Sequence, residues 1–187
     1  MSQNKISTNL KGFTLIEVLV VISIIGLLAS IVFASLNNAR LKAQYAVAYS
    51  EMNQFMQMVQ YALGETTNNL WSLTSQVVTL QGCGGVSGCM CWLNYINIRN
   101  ITEDHLCFTN WQAVINKVAE TGSIVENVDH LLRDPWGSPY ALQELEQQPG
   151  CGQDRLISAG PDGIISDIYW IDNIYYPFPP SLNPPCY

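Results

Sequence analysis

Hard oxygen donors are concentrated around two glycines in the last third of the chain. Residues 154–168 read DRLISAGPDGIISDI and offer the hydroxyl of Ser158 and the carboxylates of Asp162 and Asp167. The glycines between these donors permit a tight wrap of the chain, and calcium takes about six to eight such oxygens. This segment can therefore hold a calcium ion. The alternative interpretation is an ordinary type I or II turn whose aspartate suits the turn.

Six cysteines form the second group of residues that could do chemistry, and all of them follow an apolar run near the N-terminus. An even number of cysteines beyond a membrane segment favours an oxidising compartment and disulfides. Buried or free thiols are the alternative. Zinc is disfavoured because the spacing lacks CxxC pairs and the two histidines are not spaced as ligands. Six cysteines allow about 15 pairings, so the connectivity stays open. The disulfide candidates are Cys83, Cys89, Cys91, Cys107, Cys151 and Cys186.

A single carboxylate, that of Glu17, stands at the edge of an uncharged stretch, VLVVISIIGLLASIVFASL, at residues 18–36. As a helix this stretch is roughly 28 Å long, about one hydrocarbon thickness. A carboxylate there costs about 2.5–3.5 kcal/mol at mid-bilayer. Glu17 is therefore a functional candidate that needs a polar partner, unless it reaches the headgroups by snorkelling.

The helical pattern continues beyond the apolar stretch. Apolar residues recur every three to four positions as far as Gly64, which predicts one helix over 13–64 with its transmembrane part at about 14–36. Such a helix is roughly 78 Å long. It is too long to pack wholly within the remaining head, so half of it must project into lipid or against copies of itself. Lys5 and Lys11 in the polar segment 1–12 predict a cytoplasmic N-terminus.

Residues 65–187 predict a small α+β head. Helical spacing indicates a helix over 108–120. Turn signals at 134–137 and 160–163 separate the remaining elements, and the tail from residue 168, rich in proline and aromatic residues, favours an extended conformation. The strands are expected at 72–80, at 90–98, near Tyr140 and at 155–158.

Composition excludes several classes of protein. The 187 residues carry a formal net charge of −7 and 48% are hydrophobic, which argues against disorder and against a nucleic-acid-binding surface. The sequence contains no GxSxG, HExxH or P-loop motif. We therefore expect no enzyme activity and no nucleic-acid partner.

The segment KGFTLIE at residues 11–17, followed at once by the apolar run, resembles the prepilin signal of type IV pilin-like proteins. The resemblance implies that a prepilin peptidase cuts between Gly12 and Phe13 and methylates the new terminus, Phe13. It also implies a partner for Glu17, namely the N-terminal amine of Phe13 in a neighbouring subunit. Segment 1–12 is then a leader peptide.

A second resemblance covers residues 134–168. The turn DPWGSPY at 134–140 and the loop that follows are similar to the major pseudopilin of type II secretion systems. That resemblance implies a calcium site with Ser158, Asp162 and Asp167 as ligands. Major pseudopilins are typically poor in cysteine, whereas type IV pilins often close the C-terminal region with a disulfide. In this chain the pilin pattern implies Cys151 with Cys186, and leaves Cys83, Cys89, Cys91 and Cys107 to staple the first part of the head.

Together these observations predict an α+β, type IV pilin-like fold with a long N-terminal helix, half of it transmembrane, and a small antiparallel-sheet head. The expected function is a structural subunit of a type IV pilus-like filament or a type II secretion pseudopilus. Alternatives are a surface pilin for adhesion, twitching or DNA uptake, and a monomeric membrane-anchored binding protein that uses its aromatic tail. The expected partners are further copies of the chain, the prepilin peptidase, membrane lipid and an inner-membrane assembly platform with a cytoplasmic ATPase. The head would lie outside the cytoplasmic membrane.

Overall fold

The computed structural model describes residues 12–65, 70–74, 77, 91, 96–125, 127–143, 154–165 and 172–179. Its helices are α1 (Leu15–Gly64), α2 (Leu70–Thr74) and α3 (Leu106–Thr121), with 3-10 turns at Asp129–Leu131 and Gly160–Asp162. Its strands are β1 (Ala141–Gln143), β2 (Arg155–Ser158) and β3 (Ile174–Pro177). The long N-terminal helix and the small antiparallel sheet of the predicted α+β fold are both confirmed.

The chain divides into two compact units, Met1–Ala43 and Gln44–Tyr187. In the first unit the large apolar side chains of α1 are exposed, from Leu15 at 81% to Leu36 at 50%. The helix is long and apolar enough to cross a membrane, judged by length and composition, and none of its apolar window is buried. Its exposed residues therefore need lipid or protein around them.

In the second unit the later part of α1 supplies one side of the main core. Buried side chains recur every three to four residues, which places them on one face of the helix. Phe55 lies 4.8 Å from Trp111 of α3, measured between ring centroids. The indole N–H of Trp111 donates to the Leu131 carbonyl at 2.8 Å, so this large ring is both packed and satisfied. The α1 residues of this core are Ala48, Met52, Phe55, Met56, Val59 and Ala62.

The sheet has the order β1-β2-β3, and both pairings are antiparallel. Successive side chains of a strand point to opposite faces of the sheet, so the two faces of the sheet bury different residues. Leu142 and Leu156 belong to the main core, whereas Ala141 and Ile157 join a second cluster on the opposite face. That second cluster consists of Cys91, Ile98, Cys107, Ala141, Ile157, Ala159 and Ile165.

The helix predicted over 108–120 is present as α3. His105 occupies the N-cap, and its Nδ1 accepts the Cys107 N–H at 3.2 Å. Gly122 follows the last turn as the C-cap. The turn at 134–137, the strands near Tyr140 and at 155–158, and an extended segment in the tail are also confirmed.

The sequence-based strand beginning at Ser72 is wrong at its start, because Leu70–Thr74 is a helix. Leu70 and Leu73 are three residues apart and both enter the main core, which a strand would place on opposite faces. The Thr74 hydroxyl donates to the Leu70 carbonyl at 3.0 Å. Of the strand predicted at 90–98, Cys91 is helical and Asn97 makes an isolated bridge with Ile164.

Candidate functional site

The predicted processing point lies in open chain before α1. Gly12 and Phe13 are exposed, Phe13 at 89%. A side chain added at Gly12 would meet nothing within 4 Å, so the fold of this chain does not require glycine there. A requirement for glycine at this position would instead come from the prepilin peptidase that the resemblance implies, which would cut the Gly12–Phe13 bond. Cleavage and methylation at these residues stay predictions.

The carboxylate of Glu17 has a partner within its own chain. Its Oε2 accepts both the backbone N–H and the hydroxyl of Thr14, each at 2.7 Å, and the Glu17 N–H lies 3.3 Å from the Thr14 hydroxyl oxygen. This reciprocal arrangement is a capping box, in which the first residues of a helix satisfy each other's free donors. The T-x-x-E spacing at 14–17 is the sequence signal for it, and we did not recognise it from sequence. Phe13, Glu17, Val18, Val21 and Ile22 line a shallow apolar groove around this box.

A buried carboxylate, Asp134, organises the second motif. Its Oδ1 accepts the N–H groups of Trp136 and Ser138 at 3.0 and 2.9 Å, and its Oδ2 accepts the Ser158 hydroxyl at 2.6 Å. Asp134 is 4% exposed. Burial raises the pKa of Asp134, and the hydrogen bonds from Ser158 and the turn backbone oppose that rise. The carboxylate therefore ties the 134–138 turn to the end of β2.

Of the three candidate calcium ligands, two lie in the described residues. Ser158 is fully buried, donates to Asp134 and accepts the Gly160 N–H at 3.1 Å. Asp162 is exposed, and its Oδ1 accepts the Ile164 N–H at 2.8 Å. Asp167 lies outside the described residues. The hydroxyl of Ser158 is therefore occupied by protein partners, while Asp162 keeps carboxylate capacity facing solvent.

The structure adds one carboxylate, Asp172, that the sequence reasoning missed. Its Oδ2 accepts the Asp162 N–H at 3.1 Å. Burial raises the pKa of Asp172; the hydrogen bond from the Asp162 backbone lowers it, and the nearby Asp162 charge raises it again. No local pattern could have found this pairing, because the two residues belong to different segments that the fold brings together. Within the described part of the chain no three His, Cys, Asp or Glu residues are grouped as metal ligands.

Two of the six cysteines lie in the described residues, and they form a disulfide between Cys91 and Cys107. This is one of the pairings that the sequence left open. Both residues are buried, with 2% and 1% exposure. Cys83, Cys89, Cys151 and Cys186 lie outside the described residues, so the pairing of Cys151 with Cys186 stays a prediction.

A short hydrogen bond between two titratable side chains joins α1 to the rest of the head. The Tyr140 hydroxyl donates to Glu51 Oε2 at 2.5 Å. Burial raises the pKa of Glu51, although the Tyr140 hydrogen bond and the nearby His130 oppose the rise. The pKa of Tyr140 is also raised, chiefly by burial, so its hydroxyl keeps its proton and remains the donor.

The long apolar helix and the antiparallel sheet thus define an α+β, pilin-like architecture. Residues 8–33 match the family model for the prokaryotic N-terminal methylation motif. This match supports a type IV pilin-like protein with a prepilin signal. Neither the curated proteins nor the solved structures contain a match to the chain.

Proposed function

We propose that this chain is a structural subunit of a type II secretion pseudopilus, assembled through α1 after the leader is removed behind Gly12. The observation that carries the proposal is the exposed apolar part of α1, most of which lies within the matched methylation motif. A helix surface of this kind is stable in lipid before assembly and against other copies of the same helix afterwards.

The DPWG turn favours a secretion pseudopilus over a surface pilus. In this head the turn has a defined structure, because Asp134 holds it to Ser158 of β2. The resemblance of residues 134–140 to major pseudopilins therefore coincides with an ordered element of the head. A surface pilin would accumulate in filaments outside the cell, whereas a secretion pseudopilus would remain in the envelope. The location of the processed protein therefore distinguishes the two functions.

The test is mass spectrometry of the native protein from sheared surface material and from washed envelopes. We expect a peptide that begins at methylated Phe13, confined to the envelope fraction. The same peptide abundant in sheared filaments would instead assign the chain to a surface pilus. Intact Met1–Gly12 in both fractions would overturn the assignment as a processed filament subunit. Processed protein that never assembles would instead assign the chain to the class of monomeric, membrane-anchored proteins.

Calcium binding near Asp162 is part of the proposal. The close approach of Asp162 and Asp172, whose charges repel, supports a cation at this place. Asp167 would complete the oxygen donors with nearby carbonyls. Titration of the detergent-solubilised chain with calcium should show binding. We expect Asp162→Asn to weaken the calcium affinity about tenfold, because the loss of one charged ligand costs about 1.4 kcal/mol of binding free energy. Unchanged affinity in that variant would remove Asp162 from the site.

A further inference from the structure

Two basic residues, Arg40 and Lys42, follow the apolar stretch of α1 at residues 18–36. Both side chains are exposed. Within the described residues neither makes a hydrogen bond or an ion pair, whereas Lys117 of α3 pairs with Glu120 at 3.8 Å. The two charges are therefore available to a partner outside the described part of the chain.

The helix itself offers no carboxylate to these two cations. No Asp or Glu occurs between Glu17 and Glu51, and the residues three or four positions from Arg40 and Lys42 are all uncharged. Ion pairs on a helix surface form between residues at those spacings, so α1 supplies no ion pair for either cation. Two basic residues and no acidic residue give the stretch 18–50 a charge of +2, in a chain whose formal net charge is −7.

The place of the two residues along α1 corresponds to the headgroup layer of a bilayer. Arg40 lies about 6 Å and Lys42 about 9 Å beyond Leu36, the last apolar residue of the uncharged stretch. The polar region on each side of the hydrocarbon core is about 5–8 Å deep. Side chains of a helix tilt toward its N-terminus, so both side chains lean back toward this layer, and their long stems extend the reach.

Phosphate is the group in the headgroup layer that suits both side chains. The guanidinium of Arg40 can donate two parallel hydrogen bonds to one phosphate, and the ammonium of Lys42 pairs with a phosphate as a point charge. The two residues are about 200° apart around the helix, so they contact different lipid molecules. A net attraction requires a lipid with a net negative charge, because the cation of a zwitterionic headgroup offsets the charge of its phosphate.

We propose that Arg40 and Lys42 bind the phosphates of anionic phospholipids in the leaflet at the C-terminal end of the apolar stretch, and thereby fix the depth of α1 in the membrane before assembly. Under the orientation predicted from Lys5 and Lys11, this is the leaflet that faces away from the cytoplasm. The inference rests on the proposed function only for the membrane-inserted state of α1, and it does not require a filament.

The first experiment is native mass spectrometry of the full chain, released from bilayer discs that contain equal amounts of phosphatidylglycerol and phosphatidylcholine. We expect the native chain to retain phosphatidylglycerol in preference. Arg40→Gln and Lys42→Gln should each lower this preference about fivefold, because a basic residue at an anionic membrane surface contributes about 1 kcal/mol. Lys5 and Lys11 are present in every variant, so the differences between variants report on residues 40 and 42.

The matched control is Lys117→Gln, which removes the same charge from α3 and should leave the lipid preference unchanged. An equal loss in this control would assign the preference to the net charge of the chain and overturn the proposal. Equal retention of the two lipids by the native chain would also overturn it. Inorganic phosphate in molar excess should leave the bound lipid in place, because acyl chains also hold the lipid against α1; displacement would assign the site to a free anion instead.

The second experiment measures the contact directly, by solid-state NMR distances between lipid phosphorus and labelled arginine side-chain nitrogens in phosphatidylglycerol vesicles. A phosphate that accepts a hydrogen bond from a guanidinium places its phosphorus within about 4 Å of the nitrogen. We expect a guanidinium signal with such a phosphorus neighbour in the native chain and its loss in Arg40→Gln. A signal of this kind that persists in Arg40→Gln would overturn the contact.

Filament assembly in cells separates this inference from the proposed function. A contact that is absent in vesicles, together with a loss of filament assembly in Arg40→Gln, would assign the cation to a carboxylate of a second copy and overturn the lipid assignment. A native chain that forms no filaments would instead overturn the proposed function, while the vesicle results would still stand.

Discussion

At the scale of single residues, Glu51 couples the stability of the head to pH. Its carboxylate is half-buried against the Tyr140 hydroxyl, with His130 and Asp134 as the other titratable neighbours. Because burial raises the pKa of Glu51 above its ordinary 4.5, the folded state binds the proton more tightly than the unfolded state does. This group therefore adds stability at low pH, and the contribution is lost as the pH rises through the folded-state pKa.

The first prediction replaces this carboxylate with a neutral amide. Glu51→Gln keeps an acceptor for Tyr140, so we expect the free energy of unfolding at neutral pH to stay equal or to rise. As the pH falls from neutral towards the ordinary carboxyl pKa of 4.5, we expect the native chain to gain stability and the variant to show no such gain. Urea unfolding of the detergent-solubilised chain at several pH values measures this. The control is Glu120→Gln, whose side chain is 79% exposed, and it should leave the pH profile unchanged.

The second prediction concerns the hydroxyl of Ser158, which the resemblance to major pseudopilins implies as a calcium ligand. Ser158→Ala removes the donor to Asp134 Oδ2, and leaves a buried carboxylate short of one partner. We expect a loss of about 1–3 kcal/mol in the free energy of unfolding without calcium present. Asp162→Asn, on the exposed surface nearby, should change that free energy by less than about 0.5 kcal/mol. Equal losses in both variants would contradict the structural role of Ser158.

At the scale of elements, the beginning of α1 holds its carboxylate in a capping box. The third prediction is that Glu17→Ala leaves membrane insertion intact but strongly reduces filament assembly. The apolar stretch should suffice for insertion, whereas the pairing that we propose between copies depends on the charge of Glu17. Fractionation of cells followed by shearing measures both. Thr14→Ser keeps the capping hydroxyl and should assemble normally. Normal filament incorporation of Glu17→Ala would contradict the assembly role.

The 134–138 turn depends on a glycine for a steric reason. Gly137 has a φ of +94°, and an added Cβ would overlap the side-chain oxygen of Asn100. The fourth prediction is that Gly137→Ala destabilises the head by more than about 1 kcal/mol, since both the backbone conformation and the space disfavour a side chain. Thermal unfolding compared with Gly64→Ala, where a Cβ meets nothing within 4 Å, measures this effect. Equal midpoints for the two variants would show that the turn adapts.

The elements that the sequence predicted well are those whose pattern is local. Apolar periodicity and a terminal glycine located α1 and α3, and turn signals located β1 and β2. The strand predicted over 72–80 overlaps the end of α2, where the burial of Leu70 and Leu73 on one side favours a helix. The contacts between Glu51 and Tyr140, 89 residues apart, and between Asp162 and Asp172 depend on tertiary packing, which no local pattern encodes.

At the scale of the whole molecule, the head has a sheet covered on both faces by clusters of unequal size. The larger cluster takes its residues chiefly from α1, α2, α3 and the sheet, and the smaller one contains the Cys91–Cys107 disulfide together with Ile98, Ile165 and residues at β1 and β2. The head is acidic, since 14 of the 15 acidic residues but only four of the eight basic residues lie beyond Ala43. Its surface is therefore suited to cations and to basic partners rather than to polyanions.

The exposed apolar stretch of α1 also determines where a subunit resides when it is not in a filament. The large apolar side chains between Leu15 and Leu36 are each at least 50% exposed, and moving them from lipid to water costs on the order of 20 kcal/mol. A free subunit in water is then practically unpopulated. Under the proposed function the bilayer would be a two-dimensional reservoir, from which a growing filament would draw subunits and to which a shrinking filament would return them. Filament growth would accordingly respond to the surface density of subunits in the membrane rather than to a concentration in solution.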